Sequence, residues 1–124
     1  MANMSRVFHF MLFVNDSISC TSVIHRLTQF FDKWAYIIHD QDDDAFRVHY
    51  HFIGRCRMPH SAFRLAELFE IPSFWVVPVR NFDNNVRYLV DFDDLTNEPR
   101  YYVSDIRSNF NHEDLFKINR SAGK

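Results

Sequence analysis

Phe46–Ile53 reads FRVHYHFI. Successive side chains of a β-strand point to opposite faces. Phe46, Val48, Tyr50 and Phe52 therefore form one face, suited to burial. Arg47, His49, His51 and Ile53 form the other. This alternation makes the stretch a strand, and the elements on either side follow from it.

Trp34–His39 (WAYIIH) precedes it as another strand. The two are joined by a short acidic loop, so they pair as antiparallel neighbours. Further back, Arg6–Val14 (RVFHFMLFV) is almost wholly apolar and reads as a central strand. Asn15 and Asp16 end it, and Ser17 or Ser19 can cap the helix that follows. Val23, Ile24, Leu27, Phe30 and Phe31 carry that helix's buried face.

Downstream, Pro59 and Ser61 open a second helix with Ala62, Leu65, Ala66 and Phe69 on one side, and Pro72 stops it. Phe74–Val79 (FWVVPV) is a fourth strand, placed near an edge by Pro78, which has no N–H to donate. Asp83 or Asn84 can cap a short helix through Val90. Beyond Asp91 the chain is polar, with Ile106, Phe110, Leu115 and Phe116 able to pack on the sheet margin. The order β-α-β-β-α-β is the ferredoxin-like split βαβ arrangement. It implies an α+β fold: an antiparallel sheet of four to five strands, helices on one face, and the other face open for a site. Residues 1–124 make one domain.

The composition narrows the classes. Hydrophobic residues make up 47% and aromatics 17% of the chain, which excludes a disordered polymer. Two cysteines, Cys20 and Cys56, in no metal-type spacing imply neither a disulfide framework nor a zinc knuckle, and point to a reducing, cytoplasmic setting. No apolar run is long enough to span a bilayer, and no secretory signal pattern opens the chain. The formal net charge of −2 argues against a general coat for nucleic acid. Four of the negative charges, however, sit together at Asp40, Asp42, Asp43 and Asp44, and without them the balance is positive. The basic residues are eleven Arg against three Lys, and Arg grips phosphate bidentately.

His49 and His51 lie on one face of a strand, roughly 7 Å apart along it, so two imidazoles can converge on one cation. A half-exposed strand face often carries such a pair with no ligand. Here a second cluster adds to it, because His39 ends the neighbouring strand and Asp42 follows. Three imidazoles and a carboxylate suit a transition-metal dication, with Mn²⁺ or Mg²⁺ expected as the working ion and Zn²⁺ able to substitute in vitro. Asp40, Asp42 and Asp44 also resemble the start of a calcium loop. Its sixth position is Ala45 rather than Gly and its twelfth is His51 rather than Glu, which rules that loop out. Asp43 and Asp44 read as solvated turn residues.

A cation beside a tyrosine can carry out phosphoryl transfer, since a phenol with a pKa near 10 needs activation to attack. Tyr88 is the best candidate. Val86, Leu89 and Val90 form an apolar stripe, and at about 100° per residue Tyr88 lies about 150° from it. The same position suits a plain surface tyrosine. Tyr101 and Tyr102 are rivals, whereas Tyr50 faces away from His49 and His51. Arg47, Arg80 and Arg87 are candidates for phosphate contacts.

Taken in order, His39-Asp40-Gln41-Asp42, Val48-His49-Tyr50-His51-Phe52, Val86-Arg87-Tyr88-Leu89-Val90, and Tyr102-Val103-Ser104-Asp105-Ile106 with Asn109-Phe110 resemble the HUH endonucleases. Within these the likeness is to the small replication initiators of rolling-circle plasmids of the streptococcal type. The resemblance implies that His39, Asp42, His49 and His51 hold the metal and that Tyr88 is the nucleophile. It implies nicking of single-stranded DNA at an origin hairpin, a covalent 5′-phosphotyrosine, later rejoining of the ends, and hand-over to the host replication machinery. Relatives of that kind often continue into oligomerisation or helicase regions, so a homo-oligomer is expected of a longer form. The sequence departs from the family at Asp91, where a histidine usually follows the tyrosine. Two rivals share these residues. One is a base-stacking module with the RNA-recognition fold, which binds single strands without cutting. The other is a zinc protein that uses His39, His49 and His51 and forms no covalent adduct.

Overall fold

A computed structural model describes residues 4–13, 20–39, 49–90, 92–93, 98–99 and 101–116. Strand β1 spans Met4–Phe13, helix α1 Cys20–Phe30, β2 Lys33–His39, β3 His49–Ser61 and α2 Ala62–Phe69. A 3-10 turn at Ser73–Trp75 leads into β4 (Val76–Val79). Helix α3 (Phe82–Arg87) runs directly into a second 3-10 turn, Tyr88–Val90. The short strands β5 (Phe92–Asp93) and β6 (Glu98–Pro99) pair with each other, and β7 is Arg107–Ser108.

The main sheet has five strands in the order β4-β1-β3-β2-β7, with every neighbour antiparallel. β1 and β2 flank β3 and are joined through α1, which is the split βαβ connection of an α+β, ferredoxin-like fold. Pro78 sits on the edge strand β4, paired with Phe8 on one side only.

One face of the sheet buries Phe8, Phe10, Leu12, Phe52 and Cys56 beneath α1 and α2. The helices contribute Val23, Ile24 and Leu27, and Leu65, Ala66 and Phe69, as their 3.6-residue spacing requires. Each fully buried Phe of this layer stabilises the fold by roughly 1.5–3 kcal/mol. Ser61 caps α2 by accepting from the Arg64 N–H at 3.1 Å. Glu70 closes the helix with φ 57°, and its N–H reaches the carbonyls of Ala66 and Glu67.

The opposite face carries a second core. Ala35, Ile37 and Ile53 of the sheet pack against Phe82 and Val86 of α3, Leu89 and Val90 of the turn after it, and Tyr101 and Ile106. Phe110, Leu115 and Phe116 pack at its margin. This face is therefore shared between α3, the C-terminal segment and the histidines, rather than left bare. The C-terminal segment is held there by β7 and by Asn109. The Asn109 Oδ1 accepts from the Trp34 N–H at 2.9 Å and its Nδ2 donates to the Asp32 carbonyl at 3.1 Å.

Several boundaries depart from the sequence expectation for identifiable reasons. β3 continues to Ser61 because Met4 and Ser5 extend its pairing beyond a bulge. Ser5 stitches that bulge: its Oγ donates to the Val7 carbonyl at 3.0 Å and accepts from the Val7 N–H at 3.1 Å. The alternation fades after Ile53 because the next buried-face position, Gly54, has no side chain. β4 begins at Val76 rather than Phe74, since Ser73–Trp75 is wound into a turn after Pro72. Helix α3 is capped by Asn81, whose Oδ1 accepts from the Asn84 N–H at 2.8 Å, and not by Asp83 or Asn84.

Candidate functional site

The site is built on the two central strands and the turn that follows α3. On β3, His49 and His51 share the face that α3 covers further along, where Ile53 is 1% exposed. Their rings lie 4.9 Å apart, centroid to centroid. Both are half-buried at the point where this second core gives out.

The neighbouring strand adds a histidine that the sequence reading did not single out. Phe8, Phe10 and Leu12 of β1 point into the helix-side core, so His9 points to the other face. His9 pairs with Ile53 and Met11 with His51, which sets His9 and His51 on a cross-strand diagonal. The Nε2 of His9 and the Nδ1 of His51 are 2.8 Å apart, and the rings lie side by side in nearly one plane, with centroids 5.0 Å apart and 9° between planes. The available signal was that His9 is the polar exception inside an apolar strand. Its value depends on β3 lying alongside, which the local pattern does not state.

Tyr88 approaches from above the same face. Its backbone N–H closes the end of α3 on the carbonyls of Asn84 and Val86, and its side chain is 59% exposed. The residue belongs to the 3-10 turn after the helix, while Leu89 and Val90 of the same turn are buried. Tyr88, Asn85 and Leu89 line one cavity with His9, His51 and Ile53, of about 170 Å³. A phenol and two imidazoles thus share one water-accessible recess.

The remaining candidates separate in space. His39 is the last residue of β2, and the strand register sets it directly across from His49. Asp42, Arg47 and Asp91 lie outside the described residues. Arg80 is exposed just beyond β4. Arg87 is half-buried, and its Nε donates to the Leu115 carbonyl at 3.0 Å, fastening the C-terminal segment to α3. Tyr101 is 2% exposed within the second core and lines a different cavity, of about 350 Å³, with Tyr36, Tyr50, Asp105 and Arg107. Tyr102 is exposed, and its N–H donates to the Asp105 carboxylate at 3.1 Å.

The donors on this face are imidazole nitrogens, which suit Zn²⁺ and related transition-metal dications, while Mn²⁺ or Mg²⁺ would call for the carboxylate as well. Among the described residues, no three His, Cys, Asp or Glu side chains close around a common point. His49 and His51 supply two neighbouring imidazoles of the expected four-residue set. The buried cysteine, Cys56, is remote from this chemistry. It lies in the helix-side core, where burial and then the Asp32 carboxylate push its pKa up to about 12 against the opposing pull of Arg6. That thiol stays protonated and unreactive at neutral pH.

No model of a known protein family matches the chain, and no curated protein matches it.

Proposed function

We propose that the protein is a metal-dependent endonuclease of the HUH kind, which nicks and rejoins single-stranded DNA through Tyr88 to initiate rolling-circle replication. The observation that carries this reading is the shared recess: Tyr88 and His51 line one cavity on one face of the sheet. In this reading His49 and His51, with His39 and Asp42, hold Mn²⁺ or Mg²⁺. A dication held there would supply positive charge to the scissile phosphate.

The work of the chain's own groups follows from their placement. An exposed phenol at the rim can be reached by a flexible single strand. The Tyr88 Oη gives up its proton and attacks phosphorus. The bond from phosphorus to the 3′ oxygen breaks, and that oxygen leaves as a hydroxyl after taking up a proton. The 5′ phosphate stays on Tyr88 as a diester, so a 3′-hydroxyl can later reverse the step and regenerate the phenol without ATP. Arg47 and Arg80 serve as phosphate contacts, while Arg87 braces the turn that carries Tyr88. The protein acts in the cytoplasm with the host replication machinery. Among the described residues, no helix is long and apolar enough to cross a membrane.

A base-stacking module is less well supported. The aromatic side chains of the central strands, Phe8, Phe10 and Phe52, are buried under the helices. The opposite face of these strands is partly covered by α3, the turn after it, Tyr101 and Ile106, instead of lying open as a sheet that stacks bases does.

The test uses labelled hairpin oligonucleotides with randomised single-stranded loops, incubated with the protein and Mn²⁺. An adduct that survives SDS is expected, lost with EDTA and lost in Tyr88→Phe, while Tyr88→Phe still binds Mn²⁺. Peptide mass spectrometry should find the nucleotide on Tyr88. An adduct that persists in Tyr88→Phe, or binding that never leads to cutting, refutes the proposal.

A further inference from the structure

We infer that the cavity at the open edge of β2, lined by Tyr36, Ile38, Tyr50, Asp105 and Arg107, is a second binding site that holds one unpaired nucleotide of a single-stranded DNA. This inference rests on single-stranded DNA being the substrate, as in the reading above. The cavity measures about 350 Å³ and shares no lining residue with the recess of Tyr88. That volume lies within the roughly 300–1,000 Å³ of pockets that take small molecules.

Strand register builds the site. Tyr36 pairs with Phe52 of β3 on one side and with Arg107 of β7 on the other, so all three side chains stand on the helix-side face. Ile38 pairs with Tyr50 on the same face. The rings of Tyr36 and Tyr50 are 6.3 Å apart at 51°, and both residues are half-buried. β7 pairs only with Ala35 and Tyr36, because the chain before it is wound into a 3-10 turn at Val103–Asp105. The N–H and C=O of Trp34 both bond to Asn109 on the β7 side, and the backbone groups of a strand change sides at every residue. Those of Ile38 therefore point past the end of β7, towards the cavity that Ile38 lines.

Together these groups match a nucleotide. One N–H beside one C=O complements the donor and acceptor of a base edge, and tyrosine rings give the base a stacking surface. Arg107 is exposed and takes part in none of the ion pairs among the described residues, so its guanidinium can meet a phosphate oxygen. Asp105 is exposed too; its carboxylate accepts from the Tyr102 N–H and offsets the charge of Arg107. That balance favours the single charge of a phosphodiester over the roughly −1.5 to −2 of a free phosphate monoester. A peptide adding to β2 would need a longer run of unpaired edge than Ile38 and the strand's last residue, His39, provide. Ile37, which also lines the cavity, pairs with His51, so one short oligonucleotide can reach both sites.

The experiment titrates wild type, Arg107→Gln, Ile38→Glu and Tyr36→Leu into a short fluorescein-labelled single strand of random sequence, in EDTA so that nothing is cut, and measures the Tm of each protein. Affinity should fall on the order of 10-fold in each variant, with Arg107→Gln and Ile38→Glu, both at exposed positions, keeping the wild-type Tm. A strand carrying photoreactive thiothymidine should crosslink to Tyr36 or Tyr50, as located by peptide mass spectrometry. Thymidine 5′-monophosphate should compete only at concentrations far above those of the unlabelled strand. Unchanged affinity in Arg107→Gln and Ile38→Glu would overturn the inference, as would crosslinks confined to other elements, or a mononucleotide that competes as well as the strand. When Mn²⁺ is added, a strand that crosslinks here but forms no adduct at Tyr88 would sink the nuclease reading and leave this site standing. An adduct at Tyr88 with all three variants binding as wild type would sink this site alone. A wild-type protein that binds no single strand would sink both.

Discussion

Replacing Gly54 by alanine should destabilise the fold without touching the histidine face. Gly54 lies at the centre of β3, opposite Phe8 and Trp34 on the two flanking strands. A Cβ built there would meet three carbons of the Phe31 ring at 2.6, 2.6 and 2.7 Å, well inside the 3.4–4 Å of ordinary contact. The ring cannot swing aside, because it is packed against Phe10 at 5.6 Å, Phe30 at 5.3 Å, Phe52 at 6.0 Å and Phe69 at 6.3 Å. Overpacking of this kind costs about 1–3 kcal/mol. Against this, alanine in a strand recovers roughly 0.5–1 kcal/mol of the backbone entropy that glycine loses on folding. Mid-range values leave a net loss of about 1 kcal/mol, which for a domain of this size lowers the Tm by roughly 3–5 °C. Calorimetry or thermal circular dichroism reads the shift, and Phe31→Leu in the Gly54→Ala background should recover part of it. Since a side chain at position 54 points to the helix side, Mn²⁺ affinity of the folded variant should match wild type. A Gly54→Ala protein as stable as the parent, or more so, would show that Phe31 does not lie over this glycine.

Two further outcomes follow from the same structure. The Cys56 pKa rises from 9.0 unfolded to about 12 folded, so below pH 9 both states hold the proton and the thiol adds no pH dependence. Above that the unfolded thiol ionises first, and wild-type stability should fall by about 1.4 kcal/mol per pH unit towards pH 12. Urea unfolding at several alkaline pH values should find this slope missing in Cys56→Ala. Asn81→Ala removes the cap on the Asn84 N–H and should cost about 1 kcal/mol, with hydrogen exchange accelerated in α3 more than in β3. Uniform exchange across both elements would show that α3 does not open independently.

The local periodicity of the chain was enough to specify most of the helix-side core, although Phe30, expected on the buried face of α1, is 38% exposed. Phe8, Phe10, Leu12 and Phe52 alternate, Val23, Ile24 and Leu27 recur at helical spacing, and both patterns commit side chains to a face whatever the neighbouring strands are. The same alternation put His49 and His51 together, and the missing N–H of Pro78 put its strand at an edge. Periodicity says nothing about which strands touch. The bond from His9 to His51 crosses between strands 42 residues apart in sequence, and it exists only because β3 is inserted between β1 and β2. The cap at Asn81 and the winding of Tyr88–Val90 into a 3-10 turn were settled by packing, although the helical stripe of Val86, Leu89 and Val90 already set Tyr88 apart from the buried side. The second core rotates that turn onto Ala35, Ile37 and Ile53, and a six-residue helix yields to it readily. Sequence determined which face each residue serves, because side-chain direction is a local property of the backbone. Tertiary structure decided which residues meet, because contact across strands depends on register and strand order, which no single segment encodes.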